Sequence, residues 1–393
     1  MKISPFLLLC NTGLLAIFSS TISKSPVLPL FASHLGADPA GVGMVASVSA
    51  LTGILASIPA GMLSDRLGRK RMLLVSAIVF ASAPFFYPFA TRLWQLAAIR
   101  FYHGLATAIF VPVAMAMVSD LFHRQRGEKI GWFSTSTLAG RFMAPLVGGS
   151  IIGALSLNPS LGFKAVYLVC GAAGLLALLL TLMIPDPKPR ESKKREWRET
   201  FEALRAVVSN RVILATSGVE AAILFAYGTF ETFLPVYSVR IGLSAYEVGI
   251  FLSAQIIALA LTKPAMGRFS DRHGRKPQIF AGALTGALCI GCFPLFASFL
   301  PLLALSILFG LSLSIVTSAT SAFIADASCR ETHGSAMGML GSIMDIGHTT
   351  GPIVSGILAT YFGFTYSFLG AMFLVIIVAL LFRILVEDLQ CSK

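Results

Sequence analysis

Eight ionisable side chains stand inside long apolar stretches of this sequence: Lys24, Arg100, Arg141, Glu220, Glu231, Lys263, Asp345 and His348. A charge in such a setting is costly unless it faces a cavity or a partner of opposite sign, so each is a candidate for binding a solute or carrying a proton. A carrier driven by protons needs at least one buried carboxylate able to load and release a proton near neutral pH. Glu220, Glu231 and Asp345 are the candidates, with Asp345 favoured for its depth in its apolar stretch. The alternative is that each acid pairs permanently with a cation, Glu231 with Lys24 for example, and only holds helices together. The cations gather in the first half of the chain and the acids in the second.

Catalytic chemistry finds no comparable support. The sequence holds no G-x-S-x-G, no H-E-x-x-H and no G-K-[ST] phosphate loop. Gly41-x-Gly43-x-x-Ala46 imitates a dinucleotide fingerprint, but no strand precedes it. Cys289 and Cys292 make a C-x-x-C within an apolar helix, with no histidine nearby, which suits close helix packing better than metal or redox chemistry. The chain is therefore expected to be no enzyme, with no catalytic residues, no metal and no cofactor, and a proton gradient as its energy source.

The elements that must position these charges are set by composition. Of 393 residues, 56% are hydrophobic and only 12% charged, with a mean hydropathy of +0.81; a soluble domain carries about 25% charged residues. Apolar runs long enough to cross a hydrocarbon core recur throughout. Spans are expected near 5–33, 39–64, 71–90, 93–121, 128–155 and 163–184, then 211–240, 244–268, 277–298, 300–326, 334–360 and 364–386. Cys10, after Lys2 and an apolar stretch, could imitate a lipoprotein cysteine, but Leu9 stands where a small residue is needed, so the first stretch is read as a span.

A net charge of +12 would suggest nucleic acid in a soluble protein, yet its distribution points elsewhere. Arg66, Arg69, Lys70 and Arg71 share one connection, Arg124, Arg126 and Lys129 another, and Arg268, Arg272, Arg275 and Lys276 a third, while the intervening connections hold only Arg92, Lys164 and Arg240. By the positive-inside rule both termini are expected in the cytoplasm, in the cytoplasmic (inner) membrane of a prokaryote. The expected partners are a small-molecule substrate and the lipid bilayer, not nucleic acid, and the protein is expected to be a monomer.

One connection is long. Pro185, Pro187 and Pro189 end a span and a charged stretch follows, in which Trp197, Phe201, Leu204 and Val208 share a helical face beneath Lys and Arg. This suggests an amphipathic helix on the membrane surface. It separates a bundle at 1–184 from a second at 211–393, with the linker at 185–210. The halves repeat: Leu28-Pro29 returns as Leu234-Pro235, Gly36 as Gly242, Gly68-Arg69-Lys70 as Gly274-Arg275-Lys276, and Asp120 as Asp326, all displaced by 206 residues. After a slip of one residue, Pro145 returns as Pro352 and Gly149 as Gly356. Two six-helix halves related in this way suit one large class of secondary transporters.

The residues Gly61 to Arg71, with Asp65, Gly68 and Arg69 in place, resemble the loop signature of the major facilitator superfamily, and Gly267 to Lys276 is its second copy. The resemblance implies that Asp65 caps the eleventh helix and that Arg69 bridges to Asp120, with Asp271, Arg275 and Asp326 doing the mirror job on the fifth helix. Together they would form a conformational latch; a carboxylate at a helix N-terminus meets free N–H groups and the positive dipole end. The bland alternative is a tight turn that satisfies the positive-inside rule. Gly131, Gly140, Ala144-Pro145 and Gly148-Gly149 resemble the antiporter motif of exporters in that superfamily, and Gly338, Gly347, Gly351-Pro352 and Gly356 repeat its spacing. Arg100-x-x-x-Gly104 resembles the helix-four motif linked to proton coupling. Many drug exporters of the superfamily carry an acid in the first helix, where this chain has Lys24.

The resemblance implies an all-α membrane protein of twelve transmembrane helices, in two pseudo-symmetric six-helix bundles, that moves a small organic solute by alternating access. Proton-coupled efflux is the expected direction, with proton-coupled uptake as the runner-up. A passive channel or facilitator and a non-transporting receptor are the rivals from other classes.

Overall fold

The computed structural model describes residues 4–122, 125–185, 211–327 and 333–387. The amphipathic helix expected around Trp197 and Phe201 lies outside the described residues. The rest is helical, and no strand occurs among the described residues.

Among the described residues twelve long helices follow one another. They are α1 (Pro5–His34), α2 (Pro39–Leu67), α3 (Arg69–Phe89), α4 (Leu93–Leu121), α5 (Arg126–Ala154) and α6 (Pro159–Met183), then α7 (Arg211–Arg240), α8 (Ala245–His273), α9 (Arg275–Leu295), α10 (Phe299–Ala327), α11 (His333–Phe362) and α12 (Phe364–Glu387). Among the described residues eleven are long and apolar enough to cross a membrane, and α11, at 30 residues, is the twelfth. The largest disagreement with the expected spans is α8, which continues to His273 instead of ending near 268. Arg268, Asp271 and Arg272 end the apolar run without ending the helix, since hydropathy marks the lipid and not the hydrogen-bond ladder.

Two details escape a hydropathy reading. The helix α1 comes in two pieces, Pro5–Ile22 and Val27–His34, with Ser23, Lys24, Ser25 and Pro26 between them. Pro26 has no N–H to continue the ladder, and the freed groups sit in a polar setting described below. The helices α3 and α9 both finish in a 3-10 turn, at Ala83–Phe89 and Phe293–Leu295.

The chain divides into two compact units, with short stretches exchanged between them. The first comprises 1–37, 44–194 and 244–253, and the second 38–43, 195–243 and 254–393. The start of α8 is thus counted with the first unit and the start of α2 with the second. In the first unit a dense apolar core runs through Leu9, Ile17, Leu73, Phe80, Phe110, Val113 and Met117. Large apolar side chains also cover exteriors: Leu176, Leu179 and Leu182 on α6, and Phe373, Ile377, Leu380 and Ile384 on α12, are exposed. In water that would be an aggregation surface; against acyl chains it is the stable arrangement.

The repeat extends to backbone geometry and packing. Gly36 and Gly242 share φ values of 84° and 90°, and Gly68 and Gly274 share 96° and 91°, a region open to glycine at little cost. Gly68 is the single residue between α2 and α3, as Gly274 is between α8 and α9. A methyl group on Gly104 would press on Ser49 and Thr52, and one on Gly310 on Gln255 and Ala258, the same positions displaced by 206. Where α3 meets α4, Ser76 donates to the Ala106 carbonyl at 2.8 Å; where α9 meets α10, Ser312 donates to the Gly282 carbonyl at 2.7 Å. The two bonds occupy equivalent sites with donor and acceptor exchanged.

Candidate functional site

In the first unit the α1 break, the end of α3 and helices α2 and α4 converge on Arg100. Its side chain is 3% exposed. Nη1 donates to Ser23 Oγ at 3.1 Å and to Tyr87 Oη at 3.2 Å, and Nη2 donates to Ser49 Oγ at 2.8 Å. His103, one turn along α4, places Nδ1 3.3 Å from Tyr87 Oη and 3.4 Å from Ser23 Oγ. Tyr167 of α6 stacks on Tyr87, ring centres 4.2 Å apart and nearly parallel. Ser19 and Cys170 close the cluster, Ser19 Oγ donating to the Cys170 carbonyl at 2.9 Å. No carboxylate pairs with Arg100 among the described residues, so its charge is met by hydroxyl dipoles. Arg100 Nε, His103 Nε2 and Tyr167 Oη are buried without hydrogen-bond partners.

The second unit fills the equivalent space differently. Tyr87 and His103 correspond to Phe293 and Phe309, and Arg100 to Ser306. Phe230 lies 5.3 Å from Phe293 and 5.2 Å from Phe309, and Phe368 stands 6.0 Å from Phe293, an apolar aromatic core. The polar groups of this unit lie elsewhere. Glu231 Oε2 of α7 lies 3.0 Å from His348 Nε2 of α11 in hydrogen-bond contact, and Tyr227 packs its ring 5.3 Å from that imidazole. Three turns back along α7, Glu220 is wholly buried. Its Oε2 is in hydrogen-bond contact with Thr320 Oγ1 of α10, and its Oε1 has no partner. Lys263 of α8 is the charged side chain whose field reaches it.

Of the other embedded candidates, Lys24 occupies the α1 break half-buried, and Asp345 is half-buried on α11. Arg141 and Lys263 are exposed, and neither forms an ion pair among the described residues. Sequence reasoning missed Ser23, Ser49, Tyr87, Tyr167 and Thr320. A signal was present for Tyr87: comparing the halves position by position would have set Tyr87 and His103 against two phenylalanines.

The six loop residues group within their own units. Arg69 stands between two acids, with Nη2 2.5 Å from Asp65 Oδ1 and Nε 3.2 Å from Asp120 Oδ2, and it also donates to Ser64 Oγ. Arg275 repeats this with Asp271 at 3.0 Å and Asp326 at 2.5 Å. A cavity of about 670 Å³ opens beside Arg275, lined by Lys276, Phe280, Asp326 and Arg383 among others, and none of the embedded ionisable residues borders it.

The glycine motif marks close backbone approaches. A methyl group on Gly140 would collide with the Leu14 carbonyl of α1, and on Gly347 and Gly351 with the Ala221 and Phe225 carbonyls of α7. The final glycines seat helix starts. On Gly149 a methyl would come 2.5 Å from the Ala245 carbonyl oxygen, and on Gly356 2.6 Å from that of Pro39. The carbonyls of Pro145 and Pro352 approach Gly249 and Gly43 in turn. Among the described residues no three His, Cys, Asp or Glu side chains converge to hold a metal ion.

The family model described as Major Facilitator Superfamily matches residues 9–260 and 241–390. The multidrug resistance protein MdtG of Enterobacter lignolyticus is 26% identical over 378 residues, covering 94% of this chain and 88% of its own length. An uncharacterized MFS-type transporter, MJ1560 of Methanocaldococcus jannaschii, is 25% identical over 349 residues, covering 86% and 87%. Among solved structures, a bacterial homolog of the human lysosomal transporter Spinster superposes with a TM-score of 0.86 at 18% identity, covering 99% of this chain and 98% of that one. The nucleoside transporter NupG does so with a TM-score of 0.77 at 16% identity, covering 98% and 100%.

Proposed function

The chain belongs to the major facilitator superfamily, and from that premise we propose that this multi-pass membrane transporter exports small organic molecules in exchange for protons, by alternating access. The observation that carries the coupling is the pair of carboxylates buried in α7, Glu220 and Glu231, 0% and 7% exposed. Buried acids in a membrane span are costly, and proton movement is the use that repays them. Export of drug-like solutes is supported by the nearly full-length similarity to multidrug resistance proteins. Lys24 leads us to expect a preference for neutral or anionic molecules over cations. The loop groups around Arg69 and Arg275 act as the latch in this reading, and both termini face the cytoplasm.

The test is transport in liposomes carrying the purified protein, with an imposed proton gradient and two probes, neutral chloramphenicol and cationic ethidium. Exchange for protons should move chloramphenicol against its own gradient, saturably, and a protonophore should abolish that movement. Flux linear in concentration and indifferent to the protonophore would leave a passive channel. Solute moving in the same direction as the protons would leave an uptake symporter.

A further inference from the structure

Counting hydrogens around Thr320 singles out one of the buried acids. Its hydroxyl lies 2.9 Å from the Val316 carbonyl and 3.4 Å from that of Thr317, and it also touches Glu220 Oε2. A hydroxyl has one proton to give. If Glu220 is ionised, all three neighbours are acceptors and compete for it. A wholly buried carboxylate would then rest on a shared hydrogen bond at one oxygen and nothing at the other, an arrangement a buried charge does not tolerate. If Glu220 carries a proton, the competition ends: Thr320 donates to Val316, as Thr216, Thr229 and Thr262 donate to the carbonyl one turn back, the carboxyl donates to Thr320 Oγ1, and what is left without a partner at Oε1 is a neutral carbonyl oxygen and not part of a charge.

We propose that Glu220 is held as a neutral acid donating to Thr320, and that it is the group that carries the exchanged proton; this rests on the exporter reading given above. The neighbouring helices offer no better site. Glu231 is engaged by His348, a second titratable group with which its proton would be shared. On α10, Asp326 is held by Arg275. On α12, Arg383 lies over the Phe280 ring, and α9 presents Cys289 and Cys292. Asp345 shares α11 with His348 and is less deeply buried than Glu220. Lys263 of α8 is the cation whose field reaches Glu220. Ser217 on α7 and Thr317 on α10, each one turn from the pair, carry buried hydroxyls without hydrogen-bond partners. A proton leaving Glu220 thus has exchangeable groups beside it.

Infrared spectroscopy of the protein in lipid tests the protonation without any solute. Wild type should show the carbonyl stretch of a buried carboxylic acid at pH 7, absent from Glu220→Gln and shifted to higher frequency in Thr320→Val, where the acid loses its partner. In liposomes, Glu220→Gln should exchange chloramphenicol between equal concentrations and fail to concentrate it. Spectra of wild type and Glu220→Gln that superpose in the acid region would overturn the assignment. A Glu220→Gln variant that accumulates solute as well as wild type would overturn the carrier role. The infrared comparison decides the protonation even where wild type moves no probe, an outcome that counts against the exporter reading.

Discussion

Arg100 and the Arg69 and Arg275 clusters show how differently a charge behaves at different depths. The loop pairs are part-exposed, with side-chain exposures from 18% to 62%, and such pairs contribute roughly 0–1 kcal/mol to stability. That is too little to explain them as braces; the proposed latch asks of them only a bias between two states. Arg100 is a different case: removing it takes a donor from Ser23, Ser49 and Tyr87 at once. The second unit shows what stands at the equivalent positions where there is no such cage. Carrying Tyr87→Phe, Arg100→Ser and His103→Phe together imports its residues at the equivalent positions, and we expect a protein that still inserts and elutes as a single species but transports chloramphenicol at least tenfold more slowly. Undiminished transport would make the cage a packing device.

At the scale of elements, the glycines on α5 and α11 set how near two helices lie. Gly140→Val and Gly347→Val each force a branched side chain against a carbonyl of α1 or α7, and overpacking of this kind costs about 1–3 kcal/mol. Both variants should lower the thermal midpoint of the detergent-solubilised protein, whereas Gly61→Val, at a glycine with nothing within 4 Å, should not. Equal midpoints for all three would remove close approach as the reason for the motif. These glycines and the helices that bear them were legible in the sequence because small residues recur at fixed spacing and apolar length is set by the bilayer. The break in α1 was not, although Ser23, Lys24, Ser25 and Pro26 stand in it, because a proline and a few polar residues are also tolerated within an unbroken span. Nor were Ser23, Ser49 and Thr320, since hydroxyls bonded back to their own helix are common in membrane spans and nothing in their spacing separates the few that turn to a buried ionisable group.

For the molecule as a whole, direction across the membrane rests on where the arginines and lysines fall. A membrane-impermeant maleimide applied to intact cells should label Tyr246→Cys, at an exposed position, and leave Gly68→Cys untouched until the membrane is opened; the reverse pattern would invert the proposed orientation. The repeat was readable in the sequence through its glycines and loop charges. What the repeat concealed is that the halves agree in packing and part ways in polarity, with a polar cage in one and phenylalanines in the other. Alikeness was easier to see than divergence.

The bond joining α3 to α4 through Ser76, and α9 to α10 through Ser312, has a bearing on descent. Set side by side, neither serine faces a serine, and each site would be scored as a mismatch. The link between the helices is the same. If the halves arose by duplication, what was inherited here is a place where two helices need one hydroxyl between them, and either helix could furnish it. Kinship between the halves is therefore deeper than their shared letters, and a count of identical residues understates it.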